Sequence, residues 1–330
     1  MNTYNLIRPL LFQLDPEDAH HLTVRLLALA GGMPPARWLL QGIYSSPGDH
    51  IVHVLGMDFP NPVGLAAGYD KDGRALPGLA CLGFGFLEAG TVTPRPQPGN
   101  PRPRVYRLPK QRAVINHMGF PNAGAEELLR RVKRLRERQP DLLHGARLGI
   151  NIGKNTDTPM EASTGDYIQL LHMFAPYADY IAVNVSCPNL SGLSRLQGRE
   201  ELEGLLGALV RERSLLEGAA REVPLVVKIS PDLGPGELED AVGVCLDQDV
   251  EGIIATNTTT GRNGLPADVE LSGGLSGAPL EQRSTEVVRQ AAKLAGGKLA
   301  VIGVGGILDA DGARAKLDAG ADLVQVYTGM

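Results

Sequence analysis

Beyond residue 51 the chain alternates two patterns. Short, nearly continuous apolar runs occur at 63–67, 84–91, 147–152, 180–185, 225–229, 253–257, 299–304 and 323–327. Between most of them lie longer stretches in which apolar residues return every three or four positions, such as 125–138, 200–217, 236–247, 280–294 and 309–319. Runs without polar alternation predict strands buried on both faces, and the intervening period predicts amphipathic helices. Eight strands with helical crossovers predict an α/β fold, a (β/α)8 TIM barrel. One insertion breaks the rhythm. Residues 104–108 and 113–115 flank Pro109-Lys110-Gln111-Arg112 and predict a hairpin after the second strand. In such a barrel, chemistry belongs at the C-terminal ends of the strands.

The first 45 residues follow another pattern. Tyr4, Leu6, Ile7, Leu10, Leu11, Phe12 and Leu14 crowd one short segment. Asp15-Pro16-Glu17 then supplies an N-cap, a first-turn proline and a first-turn acid. The helix so opened carries Leu22, Leu26, Leu27 and Leu29 and stops at Gly31-Gly32, and Pro34-Pro35 opens a third piece holding Trp38, Leu39 and Leu40. The division predicted is a small N-terminal helical extension, 1–45, and a barrel, 46–330, joined by a polar linker at 44–49. The extension is apolar on more than one side. Its pattern fits a cap on the barrel bottom as well as it fits a membrane-surface patch or the mouth of an apolar ligand site.

Composition narrows the function classes. With 330 residues, 43% hydrophobic and 21% charged, the chain has ample material for a core. A net charge of -5 gives no nucleic-acid footprint. Cys81, Cys187 and Cys245 are odd in number and far apart, which excludes a disulfide framework and points to a reducing compartment. No apolar run is long enough to span a bilayer, and no signal peptide is visible. The seven histidines show no ligand pairing at strand ends, so no metal site is expected.

What the strand ends do carry is a thiol, amides, hydroxyls and lysines. The fourth run leads into Asn184-Val185-Ser186-Cys187-Pro188-Asn189, where Pro188 holds Cys187 extended. A lone cysteine is usually a small buried hydrophobe. Here two asparagines flank it, and other strand ends carry Lys71, Thr91, Asn151, Lys228, Thr256, Asn257, Thr258, Tyr327 and Thr328. So many polar groups at one mouth are costly unless a polar ligand meets them. Neutral amides with a few lysines suit a flat heterocycle rich in carbonyls and ring nitrogens. The glycines at 273–277 and 303–306 suit a phosphate. Together they suggest FMN.

The motifs also carry a resemblance. NPVGLAAGYDKDG at 61–73, GTVTPRPQPGNPRPRVYRL at 90–108, INHMGF at 115–120, GINIGKN at 149–155, VNVSCPN at 183–189, ATNTT at 255–259, GGLSG at 273–277 and IGVGGI at 302–307 are similar to those of the dihydroorotate dehydrogenase family. LFQLDPEDAH at 11–20 resembles the extension of its class 2, the quinone-dependent, membrane-associated branch. The resemblance runs from about residue 3 to the last residue. It implies oxidation of dihydroorotate to orotate in pyrimidine synthesis, with one FMN per chain and ubiquinone or menaquinone as acceptor. It implies FMN contacts at Ala67, Gly68, Tyr69, Asp70, Lys71, Thr91, Asn151, Asn184, Lys228, Thr256, Gly277, Gly306, Tyr327 and Thr328. It implies pyrimidine contacts at Lys71, Asn116, His117, Met118, Gly119, Phe120, Asn184, Asn189, Asn257 and Thr258. Cys187 becomes the base that takes the C5 proton, and Lys228 stabilises negative charge. His20, Arg107 and Tyr327 become the quinone site, and the extension becomes a quinone tunnel. The protein is then expected to be a monomer, peripheral on the cytoplasmic side of a bacterial inner membrane.

Four departures from the family pattern stand out. Cys187 occupies a position that is usually serine in class 2 and cysteine in the soluble class 1. A free thiol, with a pKa of about 8.5, is a better base near neutrality than an alcohol. His117 replaces a common arginine, and Tyr69 a common leucine or phenylalanine. The family's final helix would follow Met330, and without it part of the barrel wall is expected to lie uncovered. The competing readings are a soluble class 1-like enzyme with another acceptor, a Schiff-base aldolase with Lys228 as nucleophile, and a catalytically silent FMN-binding barrel.

Overall fold

A computed structural model describes residues 4–44, 50–189, 192–267 and 269–330. Its centre is a closed barrel of eight parallel strands in sequential order. They are β1 (Val63–Leu65), β2 (Phe86–Val92), β3 (Arg147–Ile152), β4 (Tyr180–Asn184), β5 (Leu225–Ile229), β6 (Gly252–Ala255), β7 (Ala300–Val304) and β8 (Leu323–Val326). All eight predicted strands are present. The five predicted helices appear as Ala125–Arg138, Arg199–Ser214, Pro235–Asp247, Glu281–Ala295 and Ala310–Asp318, joined by Leu76–Ala80 and Ser163–Phe174. Side chains alternate along each strand. Leu87, Ile150, Ile181, Val227 and Val324 face the helices in the main core. Phe86, Tyr180, Val226, Ile254, Ile302 and Leu323 fill the barrel interior near the N-terminal ends of the strands. A hairpin of Val52–Val54 and Met57–Phe59 joins that inner cluster, with Phe59 edge-on to Phe86 at 5.4 Å.

Over the other end lies the predicted hairpin, Val105–Leu108 paired with Ala113–Asn116. A third strand, Gly274–Gly277, adds to it in antiparallel fashion. The sequence presents 273–277 as a loop. It is a strand because its glycines let the backbone pass close by: a Cβ on Gly274 would lie 1.9 Å from Thr258 Oγ1.

The extension comprises α1 (Tyr4–Leu11), α2 (Pro16–Gly32) and α3 (Pro34–Tyr44). Asp15 caps α2, accepting from the N–H groups of Glu17 and Asp18. Gly31 does more than end the helix. Where α2 crosses Leu76–Ala80, a Cβ on Gly31 would lie 2.5 Å from Gly78 N, and one on Gly78 would lie 2.1 Å from Leu27 O. Two glycines therefore set the distance between extension and barrel. Most of the predicted linker, 45–49, lies outside the described residues.

Candidate active site

The inward positions of the strands change character toward their C-terminal ends. Two residues beyond Phe86 comes Glu88, two beyond Val226 comes Lys228, two beyond Leu323 comes Gln325, and β3 contributes Asn151. All four are buried. This polar layer supports one cavity at the strand ends. Asn151 donates to Glu88 (2.8 Å), and its oxygen accepts from Thr91 Oγ1 (2.5 Å) and Asn184 Nδ2 (3.2 Å). Asn184 also donates to Thr91 Oγ1 (2.9 Å), and its own oxygen accepts from Asn257 Nδ2 (3.3 Å). Asn189 donates to Asn116 Oδ1 (2.9 Å) and thereby ties the loop after β4 to the hairpin.

Cys187 lines this cavity, facing the region of Lys71 and Lys228. Burial pushes its thiol up to about 12, against the backbone hydrogen bond of Asn189 and the two lysine charges. The free-thiol value near 8.5 therefore does not carry over to this site. Burial also pulls Lys71 down to about 8, opposed by Asp72 and Glu17, and lowers Lys228, opposed by Glu88 and Cys187. Lys71 Nζ rests 3.6 Å from Met118 Sδ.

The far side of the same cavity is walled by the extension. Pro16, Glu17 and His20 of α2 line it with Val105, Arg107, Tyr69 and Tyr327. His20 meets Tyr69 edge-on at 5.0 Å, and Tyr69 meets Tyr327 at 6.3 Å. Burial and then the Lys71 charge pull His20 down to about 4, so its imidazole is neutral at pH 7. Tyr69 donates to Thr23 Oγ1 (3.2 Å), which gives the hydroxyl at this departure position a partner. Arg107 Nη1 donates to Leu14 O (3.0 Å), and its guanidinium lies 4.7 Å from the Phe12 ring centre. Below them Arg104 grips the Glu17 carboxylate with two donors, at 3.1 and 2.7 Å. Arg104 also donates to Pro98 O and Asn100 O, while Asn100 holds His117 O.

A third wall is glycine. Gly277, Gly305 and Gly306 have φ of +93°, +108° and +77°, a region that L side chains rarely adopt. Gly277 leads into helix Glu281–Ala295, and Gly306 packs against its first residue, where a Cβ would lie 2.3 Å from Glu281 Cα, so the positive end of the helix dipole faces this wall.

Most of the residues singled out in the sequence meet here. Ala67, Gly68, Tyr69, Lys71, Thr91, Asn116, Met118, Gly119, Phe120, Asn184, Cys187, Asn189, Lys228, Thr256, Asn257, Thr258, Gly277, Gly306, Tyr327 and Thr328 all line the cavity, as do His20 and Arg107. Three others lie behind it. The Asp70 carboxylate accepts from the N–H groups of Arg74 and Ala75 and so holds the turn that enters the short helix Leu76–Ala80. Asn151 sits beneath Thr91 and Asn184. His117 keeps its backbone on Arg104 O and Asn100. Glu17, Leu280 and Gln325 on the lining, and Glu88 beneath it, are site residues that the sequence does not single out. A lone acid or glutamine inside an apolar strand run was the available signal for Glu88 and Gln325.

Comparison with known proteins agrees with this geometry. The family model described as dihydroorotate dehydrogenase matches residues 51–330. A protein of Azotobacter vinelandii named dihydroorotate dehydrogenase (quinone) is 50% identical, covering 99% of this chain and 92% of its own. One of the same name from Paraburkholderia phymatum is 49% identical with the same coverage. The crystal structure of DHODH from Eimeria tenella in complex with ferulenol superposes with a TM-score of 0.86 at 37% identity, covering 97% of this chain and 89% of that one. With family model, full-length relatives and barrel in agreement, the chain belongs to the dihydroorotate dehydrogenase family, in its quinone-dependent branch.

Proposed function

We propose that the protein oxidises dihydroorotate to orotate, using FMN as its cofactor and a membrane quinone as final acceptor. The observation that carries this reading is one continuous cavity with a buried thiol and amides on one side and His20, Arg107 and Tyr327 of the extension's side on the other. The family is one of flavoenzymes. The donor set fits FMN in particular. Gln325 Oε1 is a buried acceptor with no protein donor, on a residue of the lining, and suits an N–H or O–H group of the flavin. The positive-φ glycines suit its phosphate.

Ala67 to Lys71, Thr91, Asn184, Lys228, Thr256, Gly277, Gly306, Tyr327 and Thr328 would hold FMN, with Asn151 and Asp70 acting from behind. When bound, FMN would supply the acceptor for the hydride from C6 of dihydroorotate and the two-electron store on which the quinone draws. Asn116, Asn184, Asn189 and Asn257 orient the pyrimidine by amide hydrogen bonds, with Met118 to Phe120 and Thr258 closing around it. Lys71 offers its charge to the substrate carboxylate. Cys187 takes the C5 proton, and the nearby lysine charges favour its thiolate. Lys228 places a cation where negative charge develops. Neutral His20, Arg107 and Tyr327 meet the quinone ring. The exposed apolar side chains of α2 and α3 support peripheral attachment to a membrane surface; among the described residues no helix is long and apolar enough to cross one.

Anaerobic mixing with dihydroorotate is the test. Flavin absorbance is expected to bleach and to return on adding a ubiquinone or menaquinone analogue. A yellow protein that dihydroorotate leaves unbleached, or bleached protein reoxidised by fumarate or NAD but not by quinone, would reject the assignment.

A further inference from the structure

The buried carboxylate of Glu88 is not used by the reaction above, yet it holds the centre of the polar layer. It is 2% exposed and accepts from three groups: Asn151 Nδ2 (2.8 Å), Tyr180 Oη (2.9 Å) and Gln325 Nε2 (2.7 Å). An ionised carboxylate only accepts. Asn151 and Gln325 must therefore both turn their NH2 groups toward it, whatever else surrounds them. The rest of the order follows. With its nitrogen committed, Asn151 presents oxygen to Thr91, so the Thr91 hydroxyl donates to it at 2.5 Å. Thr91 Oγ1 is then left as an acceptor and takes Asn184 Nδ2 at 2.9 Å. Asn184 then points its oxygen at Asn257 Nδ2, a direction the Ser186 N–H also supports at 3.3 Å, and Asn257 keeps its own oxygen for the Thr258 N–H at 2.8 Å. On the other branch, Gln325 is left with Oε1 unpartnered.

We propose that Glu88 is the positioning residue that fixes the direction of the Asn151 and Gln325 amides beneath the cavity and, through Asn151 and Thr91, the side from which Asn184 donates. Through Asn151 it leaves Thr91 Oγ1 as an acceptor, and so supports the one donor–acceptor order in which Asn184 meets a pyrimidine ring. Through Gln325 it turns an acceptor toward the cavity. Its carboxylate also places a negative charge behind the cavity, where little water screens it. Replacing it by glutamine keeps the volume but adds a donor, so that Asn151 can turn over and the order downstream is no longer determined.

This inference depends on the FMN and dihydroorotate reading. The test uses the full chain and readouts other than turnover: FMN affinity of apoprotein by flavin fluorescence, orotate affinity of the oxidised holoprotein by its spectral shift, and the two-electron midpoint potential. Glu88→Gln is expected to weaken orotate at least tenfold and to raise the midpoint potential, because a buried negative charge behind the cavity is removed. Tyr180→Phe removes a neutral donor from the same carboxylate and is expected to leave both within twofold of the parent. It also controls for simple loosening of the barrel interior. Unchanged orotate affinity and potential in Glu88→Gln would overturn the inference, as would equal losses in both variants. If Glu88→Gln does not fold, Asn151→Asp puts two acceptors face to face. It is expected to weaken orotate by a similar factor, and full orotate affinity there would also overturn the inference. A parent protein that takes up no FMN or orotate would instead reject the functional reading.

Discussion

At the scale of single residues, two groups that meet the substrate, Cys187 and Lys71, are both moved by burial, in opposite senses. The Cys187 thiol is pushed up to about 12, so at pH 7 to 10 it is almost wholly protonated and its thiolate fraction rises tenfold per pH unit. The rate of flavin reduction by dihydroorotate, followed by stopped flow, is expected to rise with pH across that range without levelling near 8.5. A plateau there would show that the site does not desolvate the thiol. Cys187→Ser is expected to be slower throughout, since a hydroxyl in the same place ionises higher than a thiol, and Cys187→Ala slower by about 10²–10⁴-fold. An equal profile in the serine variant would remove the thiol's role as base. Lys71 moves the other way. Pulled down to about 8, it loses its proton as pH rises through that value, and with it the charge that meets the orotate carboxylate. Orotate titrations of the oxidised protein are therefore expected to weaken above pH 8. Lys71→Met should bind weakly at all pH values, with that slope absent; a slope that persists would mean that another group titrates.

At the scale of elements, the joint between α2 and the hairpin loop is an ion pair, not an apolar contact. Glu17 is 3% exposed and receives Arg104 in a two-pronged grip, with Arg102 3.0 Å away on its open side. Burial raises the Glu17 pKa, but the arginines outweigh it and the net value is lowered. A carboxyl lowered in the folded state contributes stability above its unfolded pKa and loses it as pH falls through the folded one. This joint should therefore weaken only in acid, below about pH 4.5. Glu17→Ala would leave Arg104 buried with only carbonyl partners, and is expected to cost about 3–5 kcal/mol in urea unfolding at pH 7. A loss below about 1 kcal/mol would mean that the pair is solvated. Sequence could not reveal this joint. Glu17 reads as an ordinary first-turn acid, and its partner lies 87 residues further on. The barrel strands, by contrast, were legible because strands buried on both faces leave unbroken apolar runs. Gly274–Gly277 was not, because its pairing replaces apolar content with close backbone approach. The cavity was legible wherever polar residues cluster at strand ends, whereas at Glu88 and Gln325 the only signal is a single polar residue inside an apolar run, with no cluster to mark it.

At the scale of the molecule, one cavity with two kinds of wall implies two kinds of visitor arriving from different phases. The amide-lined side suits a small, charged, water-borne substrate. The other side is built by helices whose outer surface is apolar. No residue of α3 is buried, and Leu22, Leu26, Leu29, Met33, Trp38, Leu39, Ile43 and Tyr44 are exposed, Trp38 to 77%. That is more apolar surface than a soluble helix needs, and it lies on the same unit that carries His20 to the cavity. Trp38 is the only tryptophan of the chain, so its fluorescence reports this surface alone. Adding lipid vesicles is expected to shift its emission to shorter wavelength as the indole leaves water. Fully burying a large apolar side chain is worth about 1.5–3 kcal/mol, so Leu26→Ser with Leu39→Ser should lower vesicle partitioning by about 30-fold or more in sedimentation. The same double variant should reduce a water-soluble acceptor with dihydroorotate at the parent's rate, while its rate with a quinone dissolved in the vesicles falls in step with partitioning. If both rates fall together, these side chains support the fold and do not meet the bilayer. If neither falls and the emission does not shift, the quinone reaches His20 by a route that does not involve this surface.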